Sequence, residues 1–171
     1  MNLAVRLMIS VIGGSEAGPS ALEAAKRVGA EIARQGAVLV CGGLGGVMEA
    51  ACRGAKREGG LTVGILPMDS HNYANKYVDI AIPTGFGHAR NYLVARAGMG
   101  VIAIDGAAGT LSEMAIAWFS DRPIASVVSS GGWAEQLAGK KIDHRRRDTV
   151  YAAENPEDAV RYIVRAIRRE D

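Results

Sequence analysis

The stretch Val101-Ile102-Ala103-Ile104-Asp105-Gly106-Ala107-Ala108-Gly109-Thr110-Leu111-Ser112-Glu113 decides the fold. Its first four residues form a continuous apolar, largely β-branched run, as expected of a strand buried on both faces. A glycine-containing turn follows, then an apolar-periodic segment through Trp118 that reads as a helix. Strand, glycine turn and helix in that order leave free backbone N–H groups at the positive end of the helix, which suits an anion. Gly106, Gly109, Thr110 and Leu111 are therefore candidate phosphate-binding residues, with the carboxylate of Glu113 within a turn of them. Thr110-Leu111-Ser112-Glu113 also fits a capping box, in which the Glu reaches back to the N-cap N–H. The stretch alone leaves both readings open.

Working outward, the same alternation repeats. Leu7 to Ile12, Ala37 to Cys41, Leu61 to Leu66, Val78 to Ile82, Gly100 to Asp105, Ile124 to Val128 and Thr149 to Ala152 read as strands. Between them, a helix opens at the capping box Ser20-Ala21-Leu22-Glu23 and closes at Gly36, with Leu22, Ala25, Gly29 and Ile32 on one face. Further helices run to Lys56, from His88 to Met99, and from Thr110 to Phe119. Asn155-Pro156-Glu157-Asp158 starts the last helix with an N-cap, a proline at the first position and acids in the first turn. Repeated strand–helix units predict a mainly parallel sheet with helices on both faces, and residues 1–171 read as one Rossmann-like α/β domain.

In such a sheet, ligands bind beyond the carboxyl ends of the strands. Three glycine turns follow strands on that edge: Gly13-Gly14; Gly42, Gly43, Gly45 and Gly46; and Gly106 to Gly109. All are candidate phosphate or nucleotide contacts. None spells the GxGxxG dinucleotide fingerprint, and no GxxxxGK[ST] loop is present, which argues against NAD, FAD and P-loop nucleotides.

Composition bounds the remainder. The chain has 171 residues, 49% of them hydrophobic and 22% charged, in the range of globular domains able to bury a core. A net charge of +2 predicts neither duplex DNA nor an anionic membrane as partner. No long apolar leader or spanning run is present, so a cytoplasmic location is expected. Cys41 and Cys52 make no CxxC and are expected to be buried and reduced. His71, His88 and His144 lack metal-ligand spacing, so neither a metal nor a cofactor is expected. The basic run Lys140 to Arg147 has no interleaved aromatics for stacking bases and reads as a solvated loop. Trp118 and Trp133 read as core or interface residues.

Arg90 links the outlying segments to the opening stretch. A helix from His88 to Met99 spans roughly 18 Å and the strand after it roughly 20 Å, running back antiparallel. Arg90 therefore returns to the sheet edge that carries Gly106 and Glu113. A guanidinium and a carboxylate beside a helix N-terminus suit a ligand with a phosphate and sugar hydroxyls.

These residues resemble the LOG family of nucleoside monophosphate phosphoribohydrolases, whose hallmark is PGGxGTxxE preceded by an arginine at the start of the previous helix. Gly106, Gly109, Thr110, Glu113 and Arg90 match it. The resemblance is closer to a branch that includes the molybdenum cofactor carrier proteins and is distantly akin to DprA. The segment Gly42 to Gly60 and the triplet Ala89-Arg90-Asn91 carry it.

The resemblance implies a homodimer and one of two functions. As an enzyme, the protein would cleave the N-glycosidic bond of a nucleoside 5′-monophosphate, with Arg90 and Glu113 as catalytic residues acting on an oxocarbenium-like state. As a carrier, it would hold a nucleotide or the molybdenum cofactor without turnover. A DNA-binding role like that of DprA is the third and weakest reading. Departures from the hallmark are Asp105 for Pro or Gly, Ala107 for the second Gly, and Asn91 after the arginine. Restoring the hallmark with Asp105→Pro and Ala107→Gly is expected to favour phosphate binding, by removing a carboxylate and a Cβ from the turn.

Overall fold

The computed structural model describes residues 5–170. Seven strands form one sheet in the order β4-β3-β2-β1-β5-β6-β7, and every pairing is parallel. The strands are β1 (Met8–Gly13), β2 (Val38–Cys41), β3 (Thr62–Leu66), β4 (Ile80–Pro83), β5 (Gly100–Ile104), β6 (Ile124–Val127) and β7 (Tyr151–Ala153). The helices are α1 (Pro19–Arg34), α2 (Val47–Arg57), α3 (Asn91–Ala97), α4 (Ala108–Phe119), α5 (Gly132–Leu137) and α6 (Pro156–Glu170).

All residues of β2, β3, β5 and β6 are buried, which is why these strands read as unbroken apolar runs. Helices α1, α2 and α6 pack on one face over Ile9, Val11, Leu39 and Ile102. On the other face α3, α4 and α5 cover Ile12, Val40, Val101 and Ile124, around Trp118. The expected Rossmann-like three-layer architecture is the one observed.

The chain builds outward from β1 to β4, then crosses back to place β5 on the other side of β1. That reversal makes the β1/β5 boundary the topological switch point, where a crevice opens at the carboxyl edge. The buried Ser10 hydroxyl of β1 donates to the Val94 carbonyl (2.6 Å) and accepts from the Gly98 N–H (3.0 Å). It thereby ties the end of α3 to the central strand.

Several local expectations need correction. The Ser20 capping box does not form: Gly18 is the N-cap of α1, Pro19 takes the first position, and no side chain caps the helix. Proline's fixed φ sets the helix two residues earlier than the serine motif suggests. Likewise, α4 begins at Ala108 with Ala107 as N-cap and no side-chain cap, so Thr110 and Glu113 form no capping box. The segment read as a helix from His88 splits into a 3-10 turn, Gly87–Arg90, and the short α3. Helix α5, which opens at Gly132 with Gly131 as N-cap, lies in a stretch to which the sequence pattern assigns no element. The α6 start forms as expected, with the Asp158 N–H donating to Asn155 Oδ1 at 2.9 Å.

Candidate functional site

At the switch point, the ends of β1, β2 and β3 and the starts of α2 and α4 surround a cleft of about 500 Å³, with the Gly87–Arg90 turn on its flank. Ligand pockets for nucleotide-sized molecules are of this order. Gly13, Gly14, Gly42, Arg90, Gly109, Thr110 and Glu113, all singled out from the sequence, line it.

Arg90 is only 8% exposed despite its charge. It enters between β2 and α3 because residue 42 is glycine: a Cβ there would stand 2.5 Å from Arg90 Nη2 and 2.7 Å from Met48 Sδ. Arg90 Nη2 donates to the Gly42 carbonyl at 3.4 Å, and Nη1 donates to Asn91 Oδ1. Asn91 in turn donates to Ser112 Oγ at 3.0 Å and to the Gly109 carbonyl at 3.5 Å. Asn91, a departure from the LOG hallmark, thus braces Arg90 against the first turns of α4. Arg90 Nε is buried and has no hydrogen-bond partner. A buried donor without a partner costs about 1–3 kcal/mol, which a bound acceptor would recover.

Glu113 is 6% exposed and lies on the cleft wall one turn into α4. Burial pushes its carboxyl up to about 7, against the opposing pull of the Arg90 guanidinium. Arg90 is lowered by its own burial, with Glu113 and then Cys41 opposing. The cleft therefore pairs a permanent cation with a carboxyl that titrates near neutrality.

The α4 terminus supplies donors, one residue earlier than expected. The Leu111 N–H is bonded to the Ala107 carbonyl at 3.0 Å, and Leu111 does not line the cleft. The helix starts at Ala108, so the N–H groups that precede the first intrahelical bond are those of Ala108, Gly109 and Thr110.

The remaining predicted glycines shape the walls rather than line them. A Cβ at Gly46 would strike the carbonyls of Gly14 and Ser15, and the Val47 N–H bonds the Gly14 carbonyl at 3.0 Å. The first two glycine loops are stitched together in this way. Gly43 has φ +75 and its carbonyl accepts from the Asn75 N–H at 2.9 Å. Gly45 has open space about it, with Ser15 O at 3.8 Å from an added Cβ. Gly106, at φ +99, lets the Thr110 side chain pack directly on the turn.

Asp105 also adopts a left-handed conformation, φ +54. Its carboxylate does not line the cleft. It lies toward the backbone of Gly14 and Gly131, with oxygens 3.5 Å and 3.4 Å from ideal Cβ positions on those glycines. The Asp105 N–H donates to Ser130 Oγ at 2.9 Å, and its carbonyl accepts from the Ala134 N–H at 3.1 Å. A proline here would need φ near −65° and would lose the N–H. The expected benefit of Asp105→Pro is therefore overturned.

Sequence reasoning missed the apolar half of the cleft, formed by Leu44, Met48, Pro67 and Met68, with His88 also lining it. Pro67 and Met68 follow β3 on the same edge, a position that could have signalled them. Trp118 and Trp133 do not line the cleft. Trp118 Nε1 donates to Asp143 at 2.8 Å, and Arg146 lies over its ring at 4.6 Å. Two charges of the basic run are spent locally, Arg145 on Asp143 and Arg146 on Asp148. Among the described residues, no cluster of His, Cys, Asp or Glu suited to a metal is present, and no helix is long and apolar enough to cross a membrane.

Known proteins share this fold. The chain is 35% identical to the molybdenum cofactor binding protein of Rippkaea orientalis, covering 96% of this chain and 99% of that one, with a TM-score of 0.86. It is 30% identical to the molybdenum cofactor carrier protein of Chlamydomonas reinhardtii, covering 96% and 99%, with a TM-score of 0.83. An uncharacterised protein of Archaeoglobus fulgidus is 39% identical over 158 residues, 92% of this chain and 95% of that protein. DprA of Helicobacter pylori, at 22% identity and TM-score 0.60 over 77% of this chain and 71% of that one, shares the fold alone. The SLOG cluster4 family model matches residues 6–160, and the chain belongs to the SLOG cluster4 family.

Proposed function

We propose that this protein binds and carries a phosphorylated heterocyclic ligand without transforming it, with the molybdenum cofactor as the leading candidate cargo. The observation that carries the reading is Arg90: a buried guanidinium with an unpartnered Nε, in a cleft that also receives the free end of α4. The phosphate would sit between Arg90, the N–H groups of Gly109 and Thr110, and Gly13-Gly14. The apolar half, between Leu44, Met48 and Met68, would take a flat ring. Similarity to the two molybdenum cofactor proteins supplies the choice of cargo.

A second reading, hydrolysis of a nucleoside 5′-monophosphate, is favoured by one observation. Glu113 shares the cleft with Arg90 and keeps a carboxylate available above about pH 7. A carboxylate near the ribose would stabilise an oxocarbenium-like state.

One titration separates the two. Thermal unfolding is followed with inorganic phosphate, AMP, GMP and molybdenum cofactor freshly released from a molybdoenzyme. A ligand at one hundred times its Kd should add about 2.7 kcal/mol. The carrier reading expects stabilisation by the cofactor, with no free base or ribose 5-phosphate formed from AMP or GMP. Arg90→Ala should weaken that binding by about 1.5–3 kcal/mol, the loss of a charge-assisted contact. Base release abolished by Glu113→Gln would establish the hydrolase instead, because the substitution keeps size but removes the charge.

A further inference from the structure

Cys41 ends β2 and Cys52 lies in the second turn of α2, and both are fully buried and free. Their sulfurs face each other at 3.5 Å, joined by an S–H···S hydrogen bond. A disulfide needs about 2.0 Å, so a closure of about 1.5 Å would join them.

The pair is coupled to the cleft. The Gly43 N–H donates to Cys41 Sγ at 3.3 Å, so the sulfur holds the β2–α2 loop. The next residue back, Gly42, lines the cleft and its carbonyl holds Arg90. Asn75 fastens the far side of the same loop through the Gly43 and Leu44 carbonyls.

We propose that Cys41 and Cys52 are a peroxide-sensitive modification site, closing to an intramolecular disulfide that weakens anion binding in the cleft. Cys41 is the attacking sulfur. The Cys52 S–H, the Gly43 N–H and the nearby Arg90 charge all favour its thiolate, and together they outweigh burial. The Cys41 thiolate attacks one oxygen of hydrogen peroxide, the O–O bond breaks, and hydroxide leaves to take up a proton as water. The resulting sulfenic acid is attacked by Cys52 sulfur. The S–S bond forms, the S–O bond breaks, and the Cys52 proton joins the departing hydroxide as a second water. Two thiols are oxidised and one peroxide is reduced. Both sulfurs are fully buried and neither lines the cleft, so peroxide reaches Cys41 through local opening of the β2–α2 loop next to Gly42.

Closing the bond weakens Cys41 as the acceptor for the Gly43 N–H and pulls β2 toward α2. A close-packed interior passes such a shift to its neighbours rather than absorbing it. Gly42 and Arg90 are the first in line. The disulfide itself stands apart from the carrier reading, whereas its effect on binding rests on that reading.

The test treats the reduced full chain with hydrogen peroxide and measures intact mass without reductant, before and after dithiothreitol. The expected result is a monomeric chain lighter by two hydrogens, reversed by dithiothreitol and absent in Cys41→Ser and in Cys52→Ala. Peptide mapping should link Cys41 to Cys52. Calorimetry with inorganic phosphate should then find binding about tenfold weaker in the oxidised wild type, and unchanged by peroxide in either variant. Sulfinic or sulfonic acids, intermolecular dimers or no reaction would overturn the disulfide. A disulfide that leaves phosphate affinity unchanged would overturn the regulatory half. Phosphate that binds neither redox form would count against the carrier reading and the coupling, leaving the mass result to judge the disulfide.

Discussion

Glu113 carries a large electrostatic consequence for a single side chain. Its native carboxyl is raised from 4.5 to about 7, so the folded protein holds the proton more tightly than the unfolded chain does. For a raised carboxyl, stability is present below the unfolded value and is lost as pH climbs from about 4.5 to about 7. The loss is on the order of 3 kcal/mol. Glu113→Gln should flatten this fall, which denaturant melts of both proteins at pH 5 and pH 8 can measure; parallel profiles would remove Glu113 as the cause. Ionised Glu113 also faces any phosphate held by Arg90, so phosphate affinity should decline above about pH 7 in wild type and hold steady in Glu113→Gln. Asp105 offers a backbone counterpart. At φ +54, Asp105→Gly should stay within about 1 kcal/mol of wild type, because glycine adopts this conformation freely. Asp105→Pro should cost more than about 1 kcal/mol, through both φ and the lost bond to Ser130. Equal stability of the two variants by chemical denaturation would contradict the left-handed turn.

At the scale of elements, the α1/α2 contact sets where the second glycine loop ends. Gly29 on α1 faces the Ala51 backbone carbonyl, and Gly54 on α2 faces the backbone of Lys26, so each helix lies against the other's main chain. Intrinsic propensity would favour Gly29→Ala by about 1 kcal/mol. The added Cβ, however, would overlap the Ala51 carbonyl and stand 3.0 Å from the Ala55 nitrogen, atoms that cannot rotate aside. Overpacking of this kind costs about 1–3 kcal/mol, so a net destabilisation is expected. Thermal melts should register it, and a melting temperature at or above wild type would show that the helices separate without cost. Because α2 follows directly from Gly46, the same substitution should also weaken phosphate binding at the cleft.

At the scale of the whole molecule, we propose that the chain forms a homodimer. Tyr92 and Leu93 on α3 and Phe119 on α4 are large exposed apolar side chains, with Arg96 donating to both the Tyr92 hydroxyl and Ser120 Oγ nearby. We expect light scattering to give twice the chain mass, and Leu93→Glu to shift it toward the monomer; a monomeric wild type would exclude the assembly. What the sequence determined by itself was the local and repetitive part of this protein. Runs such as Val101 to Ile104 announce buried strands, because period and branching are properties of neighbouring residues. Alternation with helices then leaves a parallel sheet as the consistent layering, and the motif residues Arg90, Gly109 and Glu113 fall on one edge by length alone. Only the tertiary structure decided what depends on partners distant in the chain. Asn91 braces Arg90 through α4, Gly42 makes room for the guanidinium, and Pro67 and Met68 arrive from β3 to complete the cleft. The N-caps Gly18 and Ala107 are not legible locally, because the serine and threonine motifs nearby compete with them. Burial raises Glu113, and the Cys41–Cys52 contact joins a strand to a helix. Side-chain charge and contact are set by three-dimensional surroundings, and no local pattern encodes those.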